Sequence, residues 1–312
     1  MANKDANEGK FFGYYVEVNL PDVKGKPSFT TFHPRGYGFH IAGDINFGDS
    51  GSAGSNEIQI YNVAPEHQEY FKKSGSIVIK AGPKDLFGVI SQGKITKVGR
   101  EIPDGMDKSI TLTFTEGPTF DNSKMYSKYN GSKKVKKSYK TSDGRTITYE
   151  KVQKKKVNIP FRKGVKASQI IARICREAQI TLEHCKLKED HVYKKGYTLS
   201  AKPETALKSI AKDCKSKFYY RRGGYVIDSQ TEPNPYNEHI FISPTTGLIN
   251  NVEYGDDDDD NTLTFTSMID PRISTGSVVE LEDPDTKTKG LYRVKSGSYS
   301  LDNMTMSVVC AL

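Results

Sequence analysis

Six histidines, four cysteines and a run of five aspartates are the residues with which this 312-residue sequence could do chemistry. The stretch "HPRGYGFH" sets His33 and His40 seven apart among turn residues, and His67 and His239 stand alone. "HCKLKEDH" is more metal-like, since it brings His184, Cys185, Asp190 and His191 into one short stretch. A structural zinc site takes four ligands, usually as two short-spaced pairs, and the second pair is missing here. The stretch therefore reads as a surface loop with incidental histidines, and no metal is expected. Nucleophilic chemistry fares no better: "GDSGSAGS" lacks the five-residue G-x-S-x-G elbow and lies at no strand-to-helix turn. Neither phosphate-cradling glycine pattern occurs, because "GYGFHIAG" runs on as a strand. The run Asp256, Asp257, Asp258, Asp259 and Asp260 differs from a calcium loop, whose ligands alternate with spacers and end in a distant Glu. It reads as a solvated loop, or as an acidic ring if symmetry repeats it around a channel. No catalytic residue, cofactor or metal follows from these patterns.

Charge is the stronger signal. The chain carries a formal +8, but residues 122–156 hold twelve Lys and Arg against Asp143 and Glu150, a local +10 that leaves −2 (8 minus 10) for everything else. Basicity thus belongs to one element. Within it, Lys133, Lys134, Lys136 and Lys137 precede a strong Asp143–Gly144 turn signal, and Tyr126, Tyr129, Tyr139 and Tyr149 are interleaved. The expectation is two basic strands protruding as a ribbon. Its lysines either meet an acidic neighbouring protein and guard an edge, or hold nucleic-acid phosphates.

The elements that position these residues alternate in type. Hydrophobic residues make up 35% and charged residues 27%, and 18 Tyr with 14 Phe supply bulky core material, which fits a folded chain of two or three domains. Apolar runs such as "GSIVIKAG" fall far short of the roughly 20 residues of a membrane span, and the first ten residues lack a signal-peptide core. The reading is a soluble chain made in the cytoplasm, with Cys175, Cys185, Cys214 and Cys310 as free thiols. Up to residue 118 the chain reads as six or seven strands, with Ile58 and Ile60 on one face of "NEIQIYNV". One helix of one to three turns interrupts them in "APEHQEYFKKSG", started by Pro65 and stopped by Gly75. Two amphipathic helices follow. One is in "KASQIIARICREAQI", with Ile170, Ile171, Ile174, Cys175 and Ala178 at helical spacing and Ser168 as an early-turn cap. The other is in "KPETALKSIAKDCKSKF", with Ala206, Leu207, Ile210, Ala211 and Cys214 on its stripe. "KFYYRRGGYVIDS" reads as a hairpin across Gly223–Gly224, and the chain ends as β structure.

This order of elements carries a resemblance. "NEIQIYNVAPEHQEYFKKSGSIVIKAGPKDLFGVISQGKITKV" resembles the first barrel of bacteriophage tail baseplate hub proteins, the family of late control protein D and the trimeric hubs of contractile tails. The matching places are Tyr61 and Asn62, the short helix from Pro65 to Phe71, the Ser74–Gly75 turn, Ala81–Gly82, then Gly88, Gly93 and Ile95 to Val98. "KGVKASQIIARICREAQITL" and "KGYTLSAKPETALKSIAKDCKSKFYYRRGGYVI" look like the inserted helices and hairpin. "ISPTTGLINNVEY", "FTSMIDPRISTGSVVELED" and "GLYRVKSGSYS" look like the second barrel.

The resemblance implies a mainly β fold with an α+β insert: two tail-tube-like β-barrels plus a small α+β domain with two helices. Domains are expected at 1–118 (first barrel), 119–160 (basic ribbon leading into the second barrel), 161–240 (insert) and 241–312 (rest of the second barrel). It implies a non-enzymatic homotrimer that adapts a six-fold tail tube to a three-fold spike and lines the channel. Partners would be tail tube or distal tail protein, spike or tail-tip protein, tape-measure protein and peripheral baseplate proteins, with DNA only in transit and no membrane insertion. The location it implies is a virion tail, at the baseplate or tail tip, assembled in the bacterial host cytoplasm. Contact residues are expected at Tyr61, Asn62, Tyr70 and Phe71 for ring stacking, with Tyr70 and Phe71 inward and Glu66 and Glu69 outward, and at Lys133, Lys134, Lys136 and Lys137 for an acidic partner. The alternative is a nucleic-acid-binding protein that uses the 122–156 ribbon.

Overall fold

The computed structural model describes residues 13–32, 38–51, 53–117, 133–140, 146–153, 159–200, 202–233, 235–250, 252–255 and 262–312. The first barrel is an eight-stranded antiparallel sheet. Its strands follow the order Ser28–Thr30, Tyr15–Asn19, Ser76–Gly82, Gly88–Val98, Asp107–Glu116, Ser55–Tyr61, Ile41–Ala42, with Ile102–Asp104 hairpinned onto Asp107–Glu116. Alternation explains the strands: Val16 and Val18, Ile58 and Ile60, Ile77 and Ile79 are all buried, while their neighbours are half-buried or exposed. The segment before Ile41 closes the circle. Phe39 donates its N–H to the Thr30 carbonyl at 2.8 Å, and the His40 carbonyl accepts from the Tyr61 N–H at 3.0 Å, so both sheet edges are paired through one stretch.

The second barrel has seven strands, in the order Ile240–Ile242, Val278–Asp283, Thr288–Ser300, Thr305–Ala311, Thr262–Met268, Glu253–Tyr254, and the seventh comes from far away in sequence. Asp44–Gly48 pairs with residues 296–300 of the long strand Thr288–Ser300, whose first half pairs with Val278–Asp283. A register shift between Val294 and Ser296 lies where the long strand changes partner. Residues 1–118 are therefore not one barrel, as the sequence expectation had it: the chain leaves the first barrel after Ala42 and enters the second at Asp44. Gly43 makes the crossing. Its φ is +126°, and an added Cβ would lie 2.5 Å from the Glu57 carbonyl oxygen. The Phe47 and Tyr299 rings meet at 4.9 Å, and the buried residues of both barrels form one continuous apolar cluster.

Short helices punctuate the first barrel. Pro65–Gln68 is a single turn at the low end of the expected length, and a 3₁₀ turn at Lys84–Leu86 was not foreseen. The helix has no side-chain N-cap, and the chain turns inward directly after it because Phe71 buries against Phe29, ring centroids 5.0 Å apart.

The insert has a core of its own built from Ile170, Ile171, Ile174, Leu207, Ile210 and Ile227. Helices Ala167–Ala178 and Pro203–Asp213 pack over a three-stranded sheet, Leu182–Cys185, Gly224–Asp228, Lys217–Arg221. The first helix is capped across the fold: the Asp190 carboxylate accepts from both the N–H and the hydroxyl of Ser168, at 2.9 and 2.8 Å. The expected hairpin forms one residue earlier than read. Arg221 pairs with Gly224, so the turn residues are Arg222 and Gly223, both at positive φ (+50° and +86°). The insert is tied to the loop after Gly48 by Lys208 Nζ on the Ser50 carbonyl (2.7 Å) and Lys217 Nζ on Asp49 (2.9 Å). The four cysteines are free.

Candidate functional site

Tyr61, Asn62, Tyr70 and Phe71, the residues singled out for ring stacking, fall at one end of the first barrel. Tyr61 closes the strand Ser55–Tyr61, stacks on His40 at 4.4 Å and donates its hydroxyl to Gln59 Oε1 at 3.1 Å. Asn62 follows at φ +54°, a left-handed conformation that asparagine tolerates. Its side chain locks the next hairpin: Nδ2 donates to Asp107 Oδ1 at 2.8 Å, and Oδ1 accepts from the Lys108 N–H at 3.1 Å. Tyr70 is half-buried and stacks on His67 at 5.4 Å, Phe71 is buried, and Glu66 and Glu69 are exposed. Gln68 reaches Glu101 Oε1 at 3.2 Å, so the one-turn helix and the hairpin tip are held together. The tip presents Ile102 and Met106, 58% and 102% exposed, an apolar pair that the sequence reading passed over.

A second, buried cluster was also missed. Where the insert hairpin meets the second barrel, four arginines converge. Arg221 sits 3.7 Å over the Tyr236 ring, donates to Ser277 Oγ at 2.8 Å and the Thr275 carbonyl at 3.1 Å, and pairs with Glu238 at 2.7 Å. Burial and the neighbouring Arg222 lower its pKa, while Glu238 opposes the shift. Arg222 donates to the Arg272 carbonyl at 2.7 Å. Arg272 grips the buried Asp270 carboxylate through Nε and Nη2, at 3.0 and 2.6 Å. Arg293 pairs with the fully buried Asp228 at 3.1 Å, and Asp228 also accepts from the Tyr219 hydroxyl at 3.1 Å. Burial pushes the Tyr219 pKa far up, so the phenol stays protonated as the donor. Bidentate and multiply bonded guanidinium groups of this kind fix orientation. The arrangement holds the insert against the barrel.

Glu116 stands at the junction of all three units. It ends the strand Asp107–Glu116, is 6% exposed, accepts the Gly223 N–H of the insert hairpin at 3.0 Å, and lines a small cleft with Asp49, Lys295 and Ser296. Burial raises its pKa to about 7, against the lowering effect of the Gly223 hydrogen bond.

The metal-like stretch does not gather. His184 packs toward Tyr236 and lies 3.4 Å from Glu232, whereas Asp190 caps the helix and His191 packs edge-on against Tyr193. Among the described residues no three His, Cys, Asp or Glu side chains are grouped to hold a metal ion, and no helix is long and apolar enough to cross a membrane. The ribbon is present as the strands Lys133–Lys140 and Thr146–Gln153, in unbroken antiparallel register from Lys133 opposite Gln153 to Lys140 opposite Thr146. Lys133, Lys134, Lys136 and Lys137 all lie in its first strand. Asp256, Asp257, Asp258, Asp259 and Asp260 lie outside the described residues.

No family model and no curated protein matches the chain. Solved structures do. A tail protein from Neisseria meningitidis MC58 aligns over 96% of this chain and 97% of its own with a TM-score of 0.55 at 11% identity. The 43 kDa tail protein of prophage MuSo2 from Shewanella oneidensis aligns over 96% and 98% with a TM-score of 0.58 at 9% identity. Both alignments run nearly end to end. The mainly β fold of this chain is thus shared with these tail proteins.

Proposed function

We propose that this chain is a structural, non-enzymatic component of a phage tail or a phage-derived injection particle, and within it the baseplate hub. In this reading three copies form a ring whose six barrels continue the tail tube, line its channel and carry a three-fold spike. The observation that carries the reading is the pair of barrels built around one continuous core, in a chain that matches phage tail proteins over nearly its whole length and theirs. A double barrel built on one shared core offers two barrel modules per copy, the number that a three-to-six symmetry match requires. The buried arginine cluster supports the same reading, since Arg221 on Ser277 and Arg293 on Asp228 fix the insert to the second barrel. Contacts with the tube would use the end that carries Tyr61, Tyr70 and the Ile102–Met106 tip, with Asn62 and Phe71 holding that end in shape. Spike, tape-measure and peripheral baseplate proteins are the other expected partners, and assembly takes place in the bacterial host before the virion tail is complete.

Light scattering on the purified chain tests this reading. A mass of about three times 34.8 kDa supports the ring. A monomer at the highest soluble concentration, still single after chemical cross-linking, counts against it.

A further inference from the structure

The basic ribbon takes no part in either barrel. Among the described strands, Lys133–Lys140 and Thr146–Gln153 pair only with each other, and a two-stranded hairpin alone is marginal in water. Eight residues at about 3.4 Å each make a ribbon about 27 Å long. Because opposite residues share a face, the unbroken register fixes its composition. By register, Lys133, Lys137 and Lys151 share one face with Tyr139 and Tyr149, and Lys134, Lys136 and Lys140 share the other with Glu150, which stands opposite Lys136.

We propose that this ribbon is a docking surface for duplex nucleic acid, held through the phosphate backbone without base readout. Three observations favour it. Lysines occupy both faces, whereas a flat acidic protein surface engages one; a DNA groove has phosphates on both walls. The major groove, about 12 Å wide, admits a two-stranded ribbon, and about 27 Å of duplex presents about 16 phosphates, more than enough for six lysines. Finally, the chain outside residues 122–156 is net −2 (8 minus 10), so the long-range attraction for a polyanion comes from this segment. The binding is independent of the hub reading: it concerns an arm outside the barrels.

The test is fluorescence anisotropy of a labelled mixed-sequence duplex against the full chain over a range of salt. A variant carrying Lys133→Ala, Lys134→Ala, Lys136→Ala and Lys137→Ala is measured alongside, with circular dichroism to confirm its fold. The native chain should bind at low salt and release as salt rises. The variant should bind at least about tenfold more weakly, and its log–log salt slope should flatten by about 0.9 for each phosphate-bound lysine removed. Unchanged binding by the variant overturns the proposal. So does an absence of duplex binding by the native chain, and if the chain then captures polyglutamate, the ribbon's partner is an acidic protein. Light scattering on the same samples separates the two readings. A monomer that binds duplex through the ribbon sinks the hub and keeps this proposal, and a trimer indifferent to duplex does the reverse.

Discussion

Asn62 shows how a residue chosen as a contact also carries a structural task. Its positive φ and its two side-chain hydrogen bonds to Asp107 and Lys108 are separable demands. Asn62→Gly keeps the backbone relaxed and loses only the bonds, a cost of about 1 kcal/mol. Asn62→Ala loses the bonds and adds left-handed strain of about 1 kcal/mol more. Urea midpoints at constant m-value should rank native above Gly above Ala, and the reverse order of the two variants would refute the account. Arg221 is a different case: its side chain is 4% exposed, and removing it leaves Glu238 with a weaker partner in Arg222 at 3.4 Å. Arg221→Ala should cost about 3 kcal/mol, read as a loss in urea midpoint. Glu116 makes the stability depend on pH. Its pKa is raised in the fold to about 7, so the folded chain holds this proton more tightly than the unfolded one. Its contribution is therefore full at acid pH and declines as pH rises from the ordinary glutamate value to about 7, then stays level. Glu116→Gln should remove that decline and at pH 8 stabilise the protein by on the order of 3 kcal/mol, with the difference vanishing near pH 4.5 in thermal melts.

At the level of elements, two glycines decide where the chain can go. Gly43 lets the backbone pass from the strand Ile41–Ala42 into Asp44–Gly48, and its carbonyl accepts the Leu301 N–H at 3.0 Å while its own N–H reaches Asp302 at 3.1 Å. A methyl group there meets backbone, which cannot swing aside, and the φ of +126° is strained for any L side chain. Gly223 occupies the insert turn against the first barrel, where an added Cβ would lie 2.7 Å from the Gln92 carbonyl. Gly43→Ala should lose at least about 2 kcal/mol and lower hydrogen-exchange protection across both barrels. Gly223→Ala should instead loosen the insert, so hydrogen exchange quickens in the hairpin Lys217–Asp228 more than in the barrels. Equal exchange everywhere would argue that the insert is not a separate unit.

Across the whole molecule, the distribution of apolar packing predicts two cooperative units. The barrels share one cluster, with Asp44–Gly48 paired onto the long strand of the second, whereas the insert encloses its own core. Ile79→Val in the first barrel and Val279→Ala in the second should lower the same calorimetric transition, each by the amount set by its lost methyl groups. Ile210→Val, in the insert, should shift a distinct transition or the exchange of the insert alone. Two separate barrel transitions would overturn the picture of a fused double barrel.

What the sequence determined by itself is whatever has short period or short range. Val16 and Val18, Ile58 and Ile60, or Ile170, Ile171 and Ile174 declare strand or helix because a pleat repeats every two residues and a helix every 3.6, so burial writes itself into neighbouring positions. The two strands of the ribbon were legible for the same reason, with their alternation and concentrated charge lying within one stretch, while the Asp143–Gly144 turn signal lies outside the described residues. The turn at Asn62 and the one-turn helix before Phe71 could be placed from local order, but the exposed Ile102 and Met106 beside them could not, because exposure depends on what fails to pack. Only the tertiary structure decided that Asp44–Gly48 belongs to the second barrel, since nothing in five alternating residues specifies a partner some 250 positions away. It alone joined Arg221 to Glu238 and Ser277, Arg293 to Asp228, and Glu116 to Gly223. Charged residues read locally as solvated surface. They become a buried junction when separately formed elements converge and exclude the water that would otherwise solvate them.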